Sequence, residues 1–171
     1  MLLAPDSQST VRTQVKTDEI ILTGRAWVVD GPVSTEAIIT HTAQQARDAE
    51  DTILLVTGRV GDGSHAQAAQ AAEALQHSGI SSVIASRFAW PFFRMCINIG
   101  LPPLTLWEAG EIRAHDRLRI DVNDSIVKDL SSGTRYPVRD LSDLYVDILA
   151  CGGMTGYVQA LQEERVSSQD S

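Results

Sequence analysis

Apolar residues in this chain gather in short runs separated by glycines, prolines and stretches of helical composition. Ile20-Ile21-Leu22 and Ala26-Trp27-Val28-Val29 predict two opening strands, parted at Gly24 and closed by Gly31-Pro32. Ser34 or Thr35 is placed to cap a helix running to about Ala49, with Ala37, Ile38, Ala43 and Ala46 near one face. Thr52-Ile53-Leu54-Leu55-Val56-Thr57 is an unbroken apolar run, the pattern of a strand buried on both faces of a parallel sheet. Beyond it, 64–77 is rich in Ala, Gln, Glu and Leu, all good helix formers, and Ser78-Gly79 supplies the stop. A further strand over Ser81–Ala85 leads to an aromatic block that reads as a helix ending at Gly100.

The last third changes period. Arg117–Val122 and Ser125–Leu130 alternate apolar with polar residues around Asn123-Asp124, which predicts a β-hairpin. Helices are expected over about 140–150 and 155–163, on either side of Gly152-Gly153. Residues 1–17 and 165–171 are polar and without period, and are expected to be a disordered arm and tail around one domain at 18–164. The succession β-α-β-α is that of an α/β fold, in which right-handed crossovers bring the loops after the strands to one side of a mostly parallel sheet.

Composition narrows the functional classes. A formal charge of −8 argues against a partner with a phosphate backbone, so no nucleic acid is expected. No window approaches the roughly 18 apolar residues of a membrane span, and Met1-Leu2-Leu3-Ala4-Pro5 is too short for a signal peptide's apolar region. A cytoplasmic protein is therefore expected. Cys96 and Cys151 stand far apart in no ligand spacing, so a metal site or iron–sulfur cluster cannot be assembled from these thiols alone.

Two blocks carry the candidate chemistry. Gly61-Asp62-Gly63-Ser64 puts a hydroxyl in a glycine loop at a helix start, where a serine is either a catalytic group or simply an N-cap. About twenty residues later stands Phe88-Ala89, and that block closes in Asn98-Ile99-Gly100-Leu101-Pro102. With Gly24–Val28, Ser34–Ile39 and Ala150–Met154, these segments resemble, in order and spacing, the swivelling domain of the aconitase superfamily, nearest the small subunit of isopropylmalate isomerase.

The resemblance spans most of residues 24–158. It implies a swivelling β/α/β domain with flanking helices and an added C-terminal hairpin, acting as the small subunit of a hydro-lyase on a hydroxy carboxylic acid. It also implies a large partner subunit holding a [4Fe-4S] cluster, with no cofactor bound by this chain. Ser64 takes the place of the family's base, with Gly61, Gly63, His65, Thr35 and Arg59 as substrate-binding candidates. The loop departs from the family pattern at Ala66, where an arginine ordinarily clamps a substrate carboxylate. Arg59, Arg87 or a partner residue is then left to supply the charge, or the substrate differs from isopropylmalate. A catalytically degenerate swivel domain kept for assembly or regulation is the alternative reading.

Overall fold

The computed structural model describes residues 18–45 and 51–169. The expected N-terminal arm and the end of the first expected helix, beyond Gln45, lie outside the described residues. The elements are β1 (Ile21–Val29), α1 (Thr35–Ala37), a π-helical segment (Ile38–Thr42), α2 (Ala43–Gln45), β2 (Thr52–Val60), α3 (His65–His77), β3 (Ile80–Phe88), α4 (Trp90–Ile99) and β4 (Pro103–Thr105). A 3-10 turn (Ala109–Glu111), β5 (Arg117–Asp121), β6 (Ile126–Asp129), β7 (Arg135–Pro137), α5 (Asp143–Ala150) and α6 (Met154–Gln169) complete them.

The strands form one mixed sheet in the order β4-β3-β2-β1-β5-β6-β7. Strands β1 to β4 run parallel, and β5, β6 and β7 continue the sheet antiparallel from β1. The α/β class and the flanking helices are as expected, but the hairpin is a three-stranded meander. The two opening strands are one, because Gly24 continues the ladder where the Asp51 carbonyl crosses it: Arg25 N donates to Asp51 O at 2.9 Å, and a Cβ on Gly24 would overlap that oxygen. Helix α6 runs on through Gln169, across most of the segment expected to be a loose tail; the Ser167 and Ser168 hydroxyls donate back to the Glu163 and Glu164 carbonyls.

Alternate residues of β2 and β3 feed two cores. Leu54, Val56, Val83 and Ala85 meet Ala68, Ala71, Ala72 and Leu75 of α3, whose small side chains let the helix lie close to the sheet. Ile53, Leu55 and Ile84 face the other way, against Leu118, Ile120 and Val127 of the meander and Val146, Ile148 and Leu149 of α5. Helix α4 closes the side, giving Phe92 and Cys96 to the first core and Phe93 and Ile97 to the second. Its C-terminal turn docks on the glycine pair between α5 and α6, so the two glycine-bearing segments singled out in the sequence meet in space.

Candidate functional site

The C-terminal ends of β1, β2 and β3 deliver their loops to one edge of the sheet, the edge where α/β folds open a crevice. Three backbone bonds weave these loops together: Val33 N to Arg59 O at 2.8 Å, Gly61 N to Val33 O at 2.8 Å, and Ala89 N to Val60 O at 2.7 Å. Gly61 has φ of +85°, and a Cβ there would stand 2.8 Å from Phe92 Cβ. The fold itself therefore demands this glycine. Gly63 has no such requirement, since a Cβ on it would meet nothing within 4 Å, and it leaves an exposed, low-relief approach to the loop.

Ser64 is the N-cap of α3, half-buried, and its Oγ accepts from Gln67 N at 3.4 Å, a long capping bond. Behind it Thr35, completely buried, donates its hydroxyl to Asp62 Oδ1 at 2.8 Å, and Ser64 N donates to the same oxygen at 3.4 Å. Thr35, Asp62 and Ser64 are thus tied across the gap between the segment after β1 and the loop after β2. The Thr35 hydroxyl, aided by backbone donors at Ser64 and Thr35 and by the charge of Arg59, holds the Asp62 carboxyl below its ordinary value against a partial desolvation. Asp62 is the residue that sequence reasoning passed over; a carboxylate two residues before an N-cap serine was the available signal.

A depressed carboxyl pKa gives stability that is present above the unfolded carboxylate range and lost as pH falls through the folded value. Thr35→Val should raise the Asp62 pKa, so the stability gap between wild type and variant should be widest near pH 7 and narrow as the pH falls through the folded carboxyl's range. Urea unfolding at several pH values checks this, and a gap independent of pH would contradict it.

The other expected residues divide. His65 is exposed on the first turn of α3, free of the Thr35–Asp62 contact. Arg59 is exposed at the end of β2, in register with Arg87 of β3, and both line a cleft of about 440 Å³ with Ser86 and Trp107. A second cleft, about 770 Å³, shares Ser86, Arg87 and Trp107 and adds aromatic walls from Trp90, Phe93 and Tyr145. Ser64 lines neither cleft. Trp90 and Trp107 are 56% and 64% exposed, whereas Phe92 and Phe93 are core residues.

The donors present do not fit a metal cluster. Among the described residues no three His, Cys, Asp or Glu side chains converge on a common point. Cys96 is wholly buried, and burial pushes its thiol far above the ordinary range; Cys151 is raised by burial and by the nearby Asp147 and Glu164. Both disfavour the thiolate that iron requires. Nor is any helix among the described residues long and apolar enough to cross a membrane.

No family model matches the chain. It is 30% identical over 151 residues to 3-isopropylmalate dehydratase small subunit 1 of Archaeoglobus fulgidus, covering 85% of this chain and 91% of that one. It is likewise 30% identical over 162 residues to the 3-isopropylmalate dehydratase small subunit of Methanosarcina mazei, covering 83% of this chain and 99% of the relative. In three dimensions it matches the 3-isopropylmalate dehydratase LeuD of Methanocaldococcus jannaschii with a TM-score of 0.70 at 25% identity, over 89% of this chain and all of that one.

Proposed function

Because the chain belongs to the family of 3-isopropylmalate dehydratase small subunits, we propose that it is the small subunit of an aconitase-type hydro-lyase, in which Ser64 takes the carbon-bound proton of a hydroxy acid. The observation that carries this reading is the setting of Ser64: capping a 13-residue helix, beside the open Gly63, at the carboxyl edge of the parallel strands. The [4Fe-4S] centre implied by the family resemblance falls to a large partner subunit, since the thiols here do not suit it.

A serine hydroxyl is a feeble base in water. Its alkoxide gains from the Gln67 N–H, from the positive end of α3, and from a partner that closes the exposed loop against solvent. Asp62 is the poorer base of the two candidates. Its hydrogen bonds and Arg59 lower its basicity, and its oxygen is occupied by Thr35 and Ser64, so its part is to hold the loop. Arg59 offsets the negative charge that Asp62 would otherwise set against a nearby alkoxide.

Ala66 favours a second reading, a swivel domain kept for assembly, because a methyl group cannot hold the carboxylate that the family's arginine clamps. Co-expression with a large dehydratase subunit decides between them. The enzyme reading predicts copurification and conversion of a hydroxy acid to its unsaturated acid, followed by ultraviolet absorbance. A stable complex inert toward substituted malates supports the assembly role, and failure to copurify sinks both.

A further inference from the structure

Strands β2 and β3 end by setting Arg59 directly beside Arg87. Register partners on neighbouring strands have backbones about 5 Å apart, so two guanidinium groups leave the sheet together. Both are exposed, and both open into the cleft shared with Ser86 and Trp107. In a chain with a net charge of −8, a pair of adjacent cations repels itself unless an anion is shared between them. Paired planar forks suit a carboxylate. Asp62 is the carboxylate that feels Arg59, and its Oδ1 is already engaged by Thr35 and Ser64.

The groove leading away from this pair is aromatic. Trp107 has Arg139 stacked 4.2 Å from its ring centroid, and Trp90 lies parallel to Phe93 at 5.8 Å. Each indole is therefore braced by a stacked partner while more than half exposed. At about 770 Å³ the cleft falls within the range of about 300–1,000 Å³ usual for small-molecule pockets, and a three-carbon substituent leaves most of it empty. Asp140 also lines this part and disfavours a second carboxylate there.

From these features we propose that Arg59 and Arg87 together bind a carboxylate of the substrate, and that the substrate carries an aromatic or long alkyl substituent lying along Trp107 and Trp90. This rests on the hydro-lyase reading and names the class of acid: a malate with a bulky apolar arm. The arginine pair takes the charge role that Ala66 vacates, from the ends of β2 and β3 rather than from the first turn of α3.

The test uses the purified full chain, titrated with 2-benzylmalate and with 2-isopropylmalate, followed by calorimetry and tryptophan fluorescence. Benzylmalate should bind at least tenfold more tightly. Arg59→Gln and Arg87→Gln should each weaken both acids tenfold or more, with Arg87→Lys recovering part of the loss; Trp107→Leu should abolish the preference for the benzyl acid. Affinity indifferent to both arginines, or no saturable binding of either acid, overturns the inference. Turnover by the complex that needs Ser64 but ignores both arginines removes this inference and leaves the functional reading. Arginine-dependent binding in a complex that never dehydrates does the reverse.

Discussion

In the assembled enzyme, Ser64→Ala is expected to lower kcat by about 10²- to 10⁴-fold, the range over which a positioned proton acceptor contributes. The same substitution removes an N-cap, which by itself costs about 0.5–2 kcal/mol of stability. The capping bond here is long, 3.4 Å, so the lower end applies. The two roles separate cleanly with Ser64→Asn: asparagine caps helices as well as serine does, yet its amide has no basic oxygen at neutral pH. Stability near wild type together with lost turnover assigns the proton to Ser64. Retained turnover in Ser64→Asn would show that the hydroxyl is only a cap. Steady-state kinetics on the complex and urea unfolding of the free chain, made on the same three proteins, supply both readouts.

The sequence declared those parts of the fold whose physics is local. Ile53–Val56 is apolar throughout because β2 is buried on both faces, and α3 announces itself through its Ala-rich composition and Ser64 cap. What stayed hidden depended on distant partners. Pro103-Leu104-Thr105 is a strand only because β3 lies beside it, and Arg135-Tyr136-Pro137 only because β6 does; both are three residues long and carry a proline, which reads as loop. The π-helical segment at Ile38–Thr42 goes with side chains returning to the ladder, Thr40 Oγ1 donating to Glu36 O and Thr42 Oγ1 to Ala37 O, and no periodicity reports that. At the site, Gly61-Asp62-Gly63-Ser64 was visible as a motif, but not which of its members does what. Gly61 is fixed by Phe92 and Asp62 by Thr35, and the pairing of Arg59 with Arg87 follows from a strand register that includes a shift between Val56 and Arg59.

Gly153→Ala should be a strongly damaging conservative change away from the site. Gly153 holds φ at +116°, a conformation essentially reserved for glycine, and an added Cβ would lie 2.5 Å from the Asn98 carbonyl oxygen and 3.0 Å from Gly100 N. Those neighbours are backbone, so no rotamer change relieves the contact. Gly100 approaches from the opposite side with φ of +82°, its own notional Cβ 2.6 Å from the carbonyl of Gly152. The end of α4 and the α5–α6 connection are thus seated backbone against backbone. Separating them would pull Phe93 and Ile97 away from Ile148 and Leu149 in the same core. Strain of about 1–3 kcal/mol plus the displaced packing predicts a loss of about 3 kcal/mol or more. At about 2–4 °C per kcal/mol for a domain of this size, Tm should fall by about 6–12 °C. Gly110→Ala is the control, since a Cβ there meets nothing within 4 Å and φ is not positive; it should stay within about 0.5 kcal/mol of wild type. Equal melting temperatures for the two variants would mean that α4 and the α5–α6 turn do not pack in this way. A drop confined to Gly153→Ala locates the closing contact of the fold at the place where its two late glycine segments touch.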